Sequence, residues 1–303
     1  MKTHLATWRL MGRLIGLLAF TMALTFSTHA QTSAMTSTVS AFFYQNPVLL
    51  TREAHQHLRV KPADMRFASK STFVPLVTAE FAEACLEYPI AFFKGEDGQW
   101  LALALTGLHK DTNAFIDAQG QWQARYVPAS VRRYPFILAE SQDKQLSLAL
   151  DLAAPHVVHA GKEGEAIFDA SGQPSDFINK LMPVLAEYQG QAKQTHAFIQ
   201  QLSDAGLLVQ SKLQVRQSED RNAEVDGMWI VDEAKLRGLA DDKALAWFKN
   251  GELAVIHAHM LSLRNLVALF ARSYPASLAS TAKPAPAPAV VAAPAQPPVN
   301  SKK

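Results

Sequence analysis

The stretch Tyr88-Pro-Ile-Ala-Phe-Phe-Lys-Gly-Glu-Asp-Gly-Gln-Trp-Leu-Ala-Leu-Ala-Leu105 sets the architecture. Two apolar runs of strand length, residues 89–93 and 100–105, flank Gly95-Glu-Asp-Gly, which has the residues of a hairpin turn. Phe73-Val-Pro-Leu-Val upstream is a third run of this kind, and the chain reads as short strands and turns to about residue 170. After Ser175 the period changes. Phe177, Leu181, Leu185, Tyr188 and Ala192 recur at three or four, which predicts a helix continuing to Leu202 and stopped by Gly206. Pro183 should kink that helix or mark its true start.

Farther on, Met228-Trp-Ile-Val followed by Asp232-Glu reads as a strand running into a capped helix. A last helix over 252–272 aligns Leu253, Ile256, Met260, Leu263, Val267 and Phe270 on one stripe. That stripe should cover the β layer or pack on the earlier helix. The fold class is therefore α+β, a β-rich N-terminal part built of hairpins followed by long helices. Within the β-rich part, Tyr88-Pro89-Ile90 and Asp117-Ala-Gln-Gly-Gln are echoed by Tyr134-Pro135-Phe136 and Asp169-Ala-Ser-Gly-Gln, at offsets of 46 and 52. Asp bonds the backbone ahead of it and Gly accepts positive φ, so turn chemistry alone could produce the match. A duplicated β unit and coincidence both remain open at this level.

The chain has 303 residues, 49% hydrophobic and 18% charged, with 29 basic against 27 acidic side chains and one cysteine. This composition excludes a disulfide scaffold, a collagen-like rod and a disordered acidic protein, and the charge balance leaves no electrostatic footprint for nucleic acid. Lys2, Arg9 and Arg13 precede an apolar run over 14–26, and Thr28-His29-Ala30 supplies small residues before Gln31, the layout of a secretory signal peptide. The run is shorter than the roughly 20 residues a membrane-crossing helix needs. Removing residues 1–30 takes away three basic residues and no acidic one, so the mature chain is close to neutral. A cytoplasmic product starting at Met35 is the alternative. The expected organisation is a signal over 1–30, a short linker over 31–41, a folded body over 42–274 and a Pro/Ala-rich disordered tail over 275–303. That tail favours extended polyproline II and serves as a spacer or a tether.

Cys85 has no partner and lies in a short apolar helical pattern, where a buried inert thiol is expected. His257-Ala-His259 are two apart on a helix and point about 200° apart, so they cannot easily hold one ion. His55-Gln-His57 would face one way only if extended. No His-Glu-x-x-His, CxxC, phosphate loop or dinucleotide fingerprint occurs, and no metal or cofactor is expected. Arg132-Arg133, inside Tyr126-Val-Pro-Ala-Ser-Val-Arg-Arg-Tyr-Pro-Phe136, is more informative. Two guanidiniums beside aromatic rings can clamp a carboxylate or phosphate, or simply bridge acidic side chains at a corner.

Several segments resemble the SapC family of surface-layer naming: Phe43-Tyr-Gln-Asn-Pro-Val-Leu-Leu, His55 with Leu58-Arg59, Phe73-Val-Pro-Leu, Glu80-Phe81, Tyr88-Pro89-Ile90, Arg132-Arg133-Tyr134-Pro135-Phe136 and Ile256-His-Ala-His. The resemblance spans roughly 42–272. It does not extend to the like-named transporter permease, which would need several apolar spans. It implies an envelope protein in the periplasm or at the cell surface, with no transmembrane span once the leader is removed. It brings no catalytic residue, and its partner would be a surface-layer component, an outer-membrane receptor or a small anionic ligand. The ligand-binding candidates are Arg132, Arg133, Tyr134, His55, Arg59 and His257. The alternative it leaves is an enzyme or accessory subunit serving a cupin-like or oxygenase-like partner through an Arg/His anion or metal site.

Overall fold

The computed structural model describes residues 42–95, 98–140, 146–216 and 222–274; the leader, the linker and the Pro/Ala tail lie outside the described residues. The chain begins with β1 (Pro47–Leu49), α1 (Arg52–His55) and β2 (Arg59–Val60), then a 3₁₀ turn at Met65–Ala68 and β3 (Phe73–Leu76). A second 3₁₀ turn, Thr78–Glu80, runs into α2 (Phe81–Ala84) and the hairpin of β4 (Ile90–Lys94) and β5 (Trp100–Leu105). There follow α3 (Ala129–Arg132), β6 (Phe136–Glu140), β7 (Leu146–Asp151), β8 (Val157–Val158) and β9 (Glu165–Ala166). The long helix α4 (Asp176–Asp204) leads to β10 (Leu208–Arg216) and β11 (Asn222–Val231). Then come α5 (Glu233–Arg237), α6 (Asp241–Lys249), α7 (Glu252–Ser262), a 3₁₀ turn at Leu263–Asn265 and α8 (Leu266–Ser273). The α+β order is the one the sequence pattern predicts, with an addition: the β10–β11 ribbon follows the long helix and joins the first sheet.

Among the described residues three antiparallel sheets result, ordered β10-β11-β4-β5-β3, β1-β7-β6 and β8-β2-β9. The first two contain the same three-stranded unit. β3 pairs β5 with Phe73 opposite Leu105, and β1 pairs β7 with Pro47 opposite Asp151, which is Leu105 shifted by the same 46 residues that separate the Tyr-Pro pairs. Leu105 N–H donates to Pro89 O and Asp151 N–H to Pro135 O, each bond joining the end of the hairpin to its Tyr-Pro corner. The aspartate turns match bond for bond. Asp117 Oδ1 accepts from the N–H groups of Gln119 and Gln121, and Asp169 Oδ1 from those of Ser171 and Gln173. Isolated bridges, Ile116 with Trp122 and Phe168 with Pro174, close both turns. Coincidental turn chemistry would not reproduce the sheet register as well. The six extra residues of the second unit fall between β7 and the Asp169 turn, where β8 and β9 lie.

The two units share no strand, and α4 covers both. Ser175 caps it, its Oγ accepting from Ile178 N–H, and Ala205 and Gly206 (φ +68°) end it. Pro183 lies inside the helix and does not mark its start. At about 1.5 Å per residue the helix is long enough to run past two cores. Its N-terminal half buries Ile178 and Leu185 with Tyr44, Tyr134, Phe136 and Leu150 of the second unit. Its C-terminal half buries Phe198, Ile199 and Leu202 with Tyr88, Phe92 and Leu105 of the first.

The last helical stretch departs from its predicted stripe. It breaks at Leu263–Asn265, and the residues it buries are Ile256, His259, Ser262, Leu266, Leu269 and Phe270. By length and composition Glu252–Ser273 could cross a bilayer, but its inner face packs on the first sheet. His259 and Ser262 have a defined task there. β11 meets β4 at Trp229 opposite Phe92, so Val231 and Ile90 come opposite each other two residues farther along. Their N–H groups go instead to His259 Nε2 (3.1 Å) and Ser262 Oγ (2.9 Å). α7 thus supplies the acceptors where the two strands part. The His259 ring stacks on Phe92 at 4.5 Å, and its Nδ1 has no partner among the described residues. Burial pushes its pKa from 6.5 down to about 4, opposed only by a backbone contact with Ile90.

Two measurements test this account. Gly120 (φ +80°) and Gly172 (φ +81°) hold equivalent turn positions. An added Cβ at Gly120 would sit 2.8 Å from Asp64 Cγ, whereas at Gly172 it would meet the flexible end of Arg52. Asp64 is already engaged by Arg66 N–H, so it cannot yield freely. Both Gly→Ala variants should lose about 1–2 kcal/mol in urea unfolding from the left-handed backbone alone, with Gly120→Ala the more damaged. For His259, the unfolded chain binds a proton below 6.5 while the folded protein resists to about 4. Its contribution to stability is complete above pH 6.5 and falls as pH drops through that window. Thermal melts should show this acid slope in the wild type and a flatter one in His259→Gln.

Candidate functional site

The single turn of α3 is held from inside. Glu80 Oε1 accepts from Ala129 N–H (2.7 Å), the first helical residue, and from Tyr126 Oη (2.6 Å), while Glu80 Oε2 accepts from Val77 N–H (2.9 Å). Ser130 Oγ donates to Pro75 O and Val131 is buried, so the turn must point Arg132 outward. Arg132 donates from Nε to Val127 O and lies 5.9 Å from the centre of the Tyr126 ring. Arg133 is half-buried. Its guanidinium lies 4.4 Å from the Tyr188 ring and 5.8 Å from the Tyr44 ring.

These side chains border a cleft of about 470 Å³ between α3 and the middle of α4. Glu80, Tyr126, Arg132 and Arg133 come from one side, and Leu181, Val184, Glu187, Tyr188 and Gln191 from the helix. Arg133 Nε is buried and has no hydrogen-bond acceptor among the described residues. Among the described residues no carboxylate pairs with either arginine. The aromatic faces offer Arg133 cation–π attraction but no lone pairs for its N–H groups. Burial raises the pKa values of both neighbouring phenols, Tyr44 to about 12 against the lowering influence of Arg133, and Tyr188 likewise upward. Burial and then the bond to Glu80 raise that of Tyr126. All three rings stay neutral near pH 7.

The other four candidates do not reach this cleft. Tyr134 turns into the second core, stacks on Phe67 at 4.0 Å and donates from Oη to Asp151 Oδ2 (2.9 Å). Its place beside the arginines is a matter of sequence only, because neighbouring residues at this corner point to opposite sides. His55 is buried, and its Nδ1 accepts from Thr51 N–H at the start of α1. Arg59 donates from Nε and Nη2 to Gly164 O, tying β2 to the loop before β9. His257 is exposed on α7 and bonds Leu253 O within its own helix. Cys85 is half-buried rather than enclosed; its Sγ donates to Ala82 O, and burial raises the pKa of its thiol. Among the described residues no three His, Cys, Asp or Glu side chains converge on a metal-sized site. A second hollow of about 530 Å³ is bordered by charges of both signs, Lys70 and Lys110 with Asp111, Glu224 and Asp226, and holds none of the candidates.

A family model described as SapC matches residues 50–269. The chain belongs to the SapC family. The SapC match begins just after β1 and takes in both hairpins, the long helix, the β10–β11 ribbon and nearly all of the last helical stretch. Comparison with curated proteins and with solved structures returned no match. Within the SapC body, sequence reasoning missed Glu80 and Tyr188 as cleft residues and Tyr44 as the buried ring on the other side of Arg133. Glu80 and Tyr44 lie in segments that carry the resemblance. Tyr188 was legible only as one member of a helix stripe.

The contrast between Arg133 and Tyr134 is testable by chemical unfolding. Tyr134→Phe removes a hydrogen bond to a buried carboxylate and should cost about 1.5–3 kcal/mol. Arg133→Met removes a half-buried charge with no counter-ion and should leave stability within about 1 kcal/mol of the wild type.

Proposed function

We propose that this SapC protein acts in the cell envelope by binding rather than by catalysis, with Arg132 and Arg133 receiving an anionic group in the α3–α4 cleft. One observation carries the reading: Arg133 lies beside two tyrosine rings without a counter-ion among the described residues. A half-buried charge lacking a partner costs stability, and the repeated unit shows that the fold does not require it. At the matching positions before Tyr88 the first unit has Leu86 and Glu87. Glu87 there pairs with Arg125 at 2.9 Å, so that corner is closed by an ion pair. In the second unit the basic pair is left open to the cleft.

The leader pattern of residues 1–30 supports export, which would put the protein in the periplasm or at the cell surface. A surface-layer component or an outer-membrane receptor would then be the macromolecular partner, and the anion could be part of it or a separate small molecule. Two experiments test the reading. Fractionation with N-terminal sequencing should find a periplasmic chain beginning at Gln31; a cytosolic chain beginning at Met35 or Thr36 would remove the envelope role. In differential scanning fluorimetry, millimolar acetate, benzoate or phosphate should raise the melting temperature of the wild type, since a ligand bound to the folded state stabilises it. The rise should vanish in Arg133→Met. Equal responses from both proteins would sink the arginine site.

A further inference from the structure

We infer that the cleft selects a monocarboxylate carried on an apolar body, over a phosphate dianion; this rests on the reading of Arg132 and Arg133 as an anion site. The charges that border the cavity decide the first part. Glu80 and Glu187 face it together with the two arginines, so its formal charge is balanced. A single added negative charge can use the arginines, whereas a dianion meets two carboxylates as well. Glu80 is held by three donors and cannot swing away. The hydrogen-bonding geometry points the same way. Arg132 has spent Nε on Val127 O, and Arg133 has no acceptor at Nε. Planar forks of this kind match the two coplanar oxygens of a carboxylate.

The wall opposite decides the second part. α4 presents Leu181 and Val184 to the cleft, and Val184 is 58% exposed, although solvent-facing helix positions are usually polar. Ala79 and Ala129 extend this apolar lining, and the neutral Tyr126 and Tyr188 rings complete it. At about 470 Å³ the cavity falls within the range that encloses small organic ligands. A carboxylate at the arginines would lay its hydrocarbon against Val184 and Leu181.

Isothermal titration calorimetry on the full chain at pH 7.5 tests this with four probes: phenylacetate, hexanoate, acetate and phenyl phosphate. Phenylacetate and hexanoate should bind at least tenfold tighter than acetate or phenyl phosphate. Val184→Ser, at an exposed position that the fold tolerates, should weaken phenylacetate about three- to tenfold, since 1.4 kcal/mol is a factor of ten, and leave acetate unchanged. Glu187→Gln should improve phenyl phosphate more than phenylacetate. If phenyl phosphate binds the wild type as tightly as phenylacetate, and both are lost in Arg133→Met, the anion site stands and the carboxylate preference falls. Acetate binding as tightly as phenylacetate overturns the apolar body. No heat from any probe overturns this inference and the underlying anion site together.

Discussion

Two β units that share no strand are joined by elements that bury a face against each, and, beside direct ties such as Ser130 Oγ to Pro75 O, α4 does this along its length. Its two ends serve different cores: Ile178 and Leu185 in one, Phe198, Ile199 and Leu202 in the other. Polar ties fix its position on the first unit. Thr195 Oγ1 accepts from Thr78 N–H at 2.8 Å, and His196 Nδ1 accepts from Trp100 N–H at 3.2 Å. The stretch between the two cores, Ala186 to Gln194, buries no residue fully. The cleft lies at that stretch, so it follows from stretching one helix over two units.

The same arrangement explains why repeated chemistry has unequal outcomes. Each unit presents a short helix, a Tyr-Pro corner and a hairpin. The first unit's corner is covered by α7 and the turn at Leu263–Asn265, where Asn265 Nδ2 donates to Cys85 O and Tyr88 O. The second unit's corner, tied to the first unit through Glu80 and Pro75, has the middle of α4 across the cleft from its arginines. Its arginines therefore retain a cavity, while the corresponding Glu87 is consumed by a neighbour.

Local patterns were legible and remote partners were not. The 89–105 hairpin and the helix after Ser175 follow from apolar spacing and turn residues within a few positions. The β10–β11 ribbon was half seen, at Met228-Trp-Ile-Val, because its first strand runs Gln210-Ser-Lys-Leu-Gln-Val-Arg216, too polar to stand out. The stripe on the last helix was read from hydrophobic residues alone. Its inner line contains His259 and Ser262, whose burial depends on two backbone donors from strands far back in the chain. For the site, residue type pointed to Arg132 and Arg133. Nothing local could show that Tyr134 turns inward or that Tyr188, 55 positions away from Arg133, comes to lie against it.

The acceptors that α7 lends to Val231 and Ile90 also set an order of assembly. β4 is made early, β11 much later, and His259 and Ser262 later still. Until the ribosome has released those two residues, the widest sheet has a seam joined by little more than the Trp229–Phe92 pair. Its last closure therefore waits for nearly all of the folded body to emerge. A chain stopped within α7 would leave Val231 N–H on the ribbon and Ile90 N–H on β4 both unmet, an open seam suited to capture by chaperones or proteases.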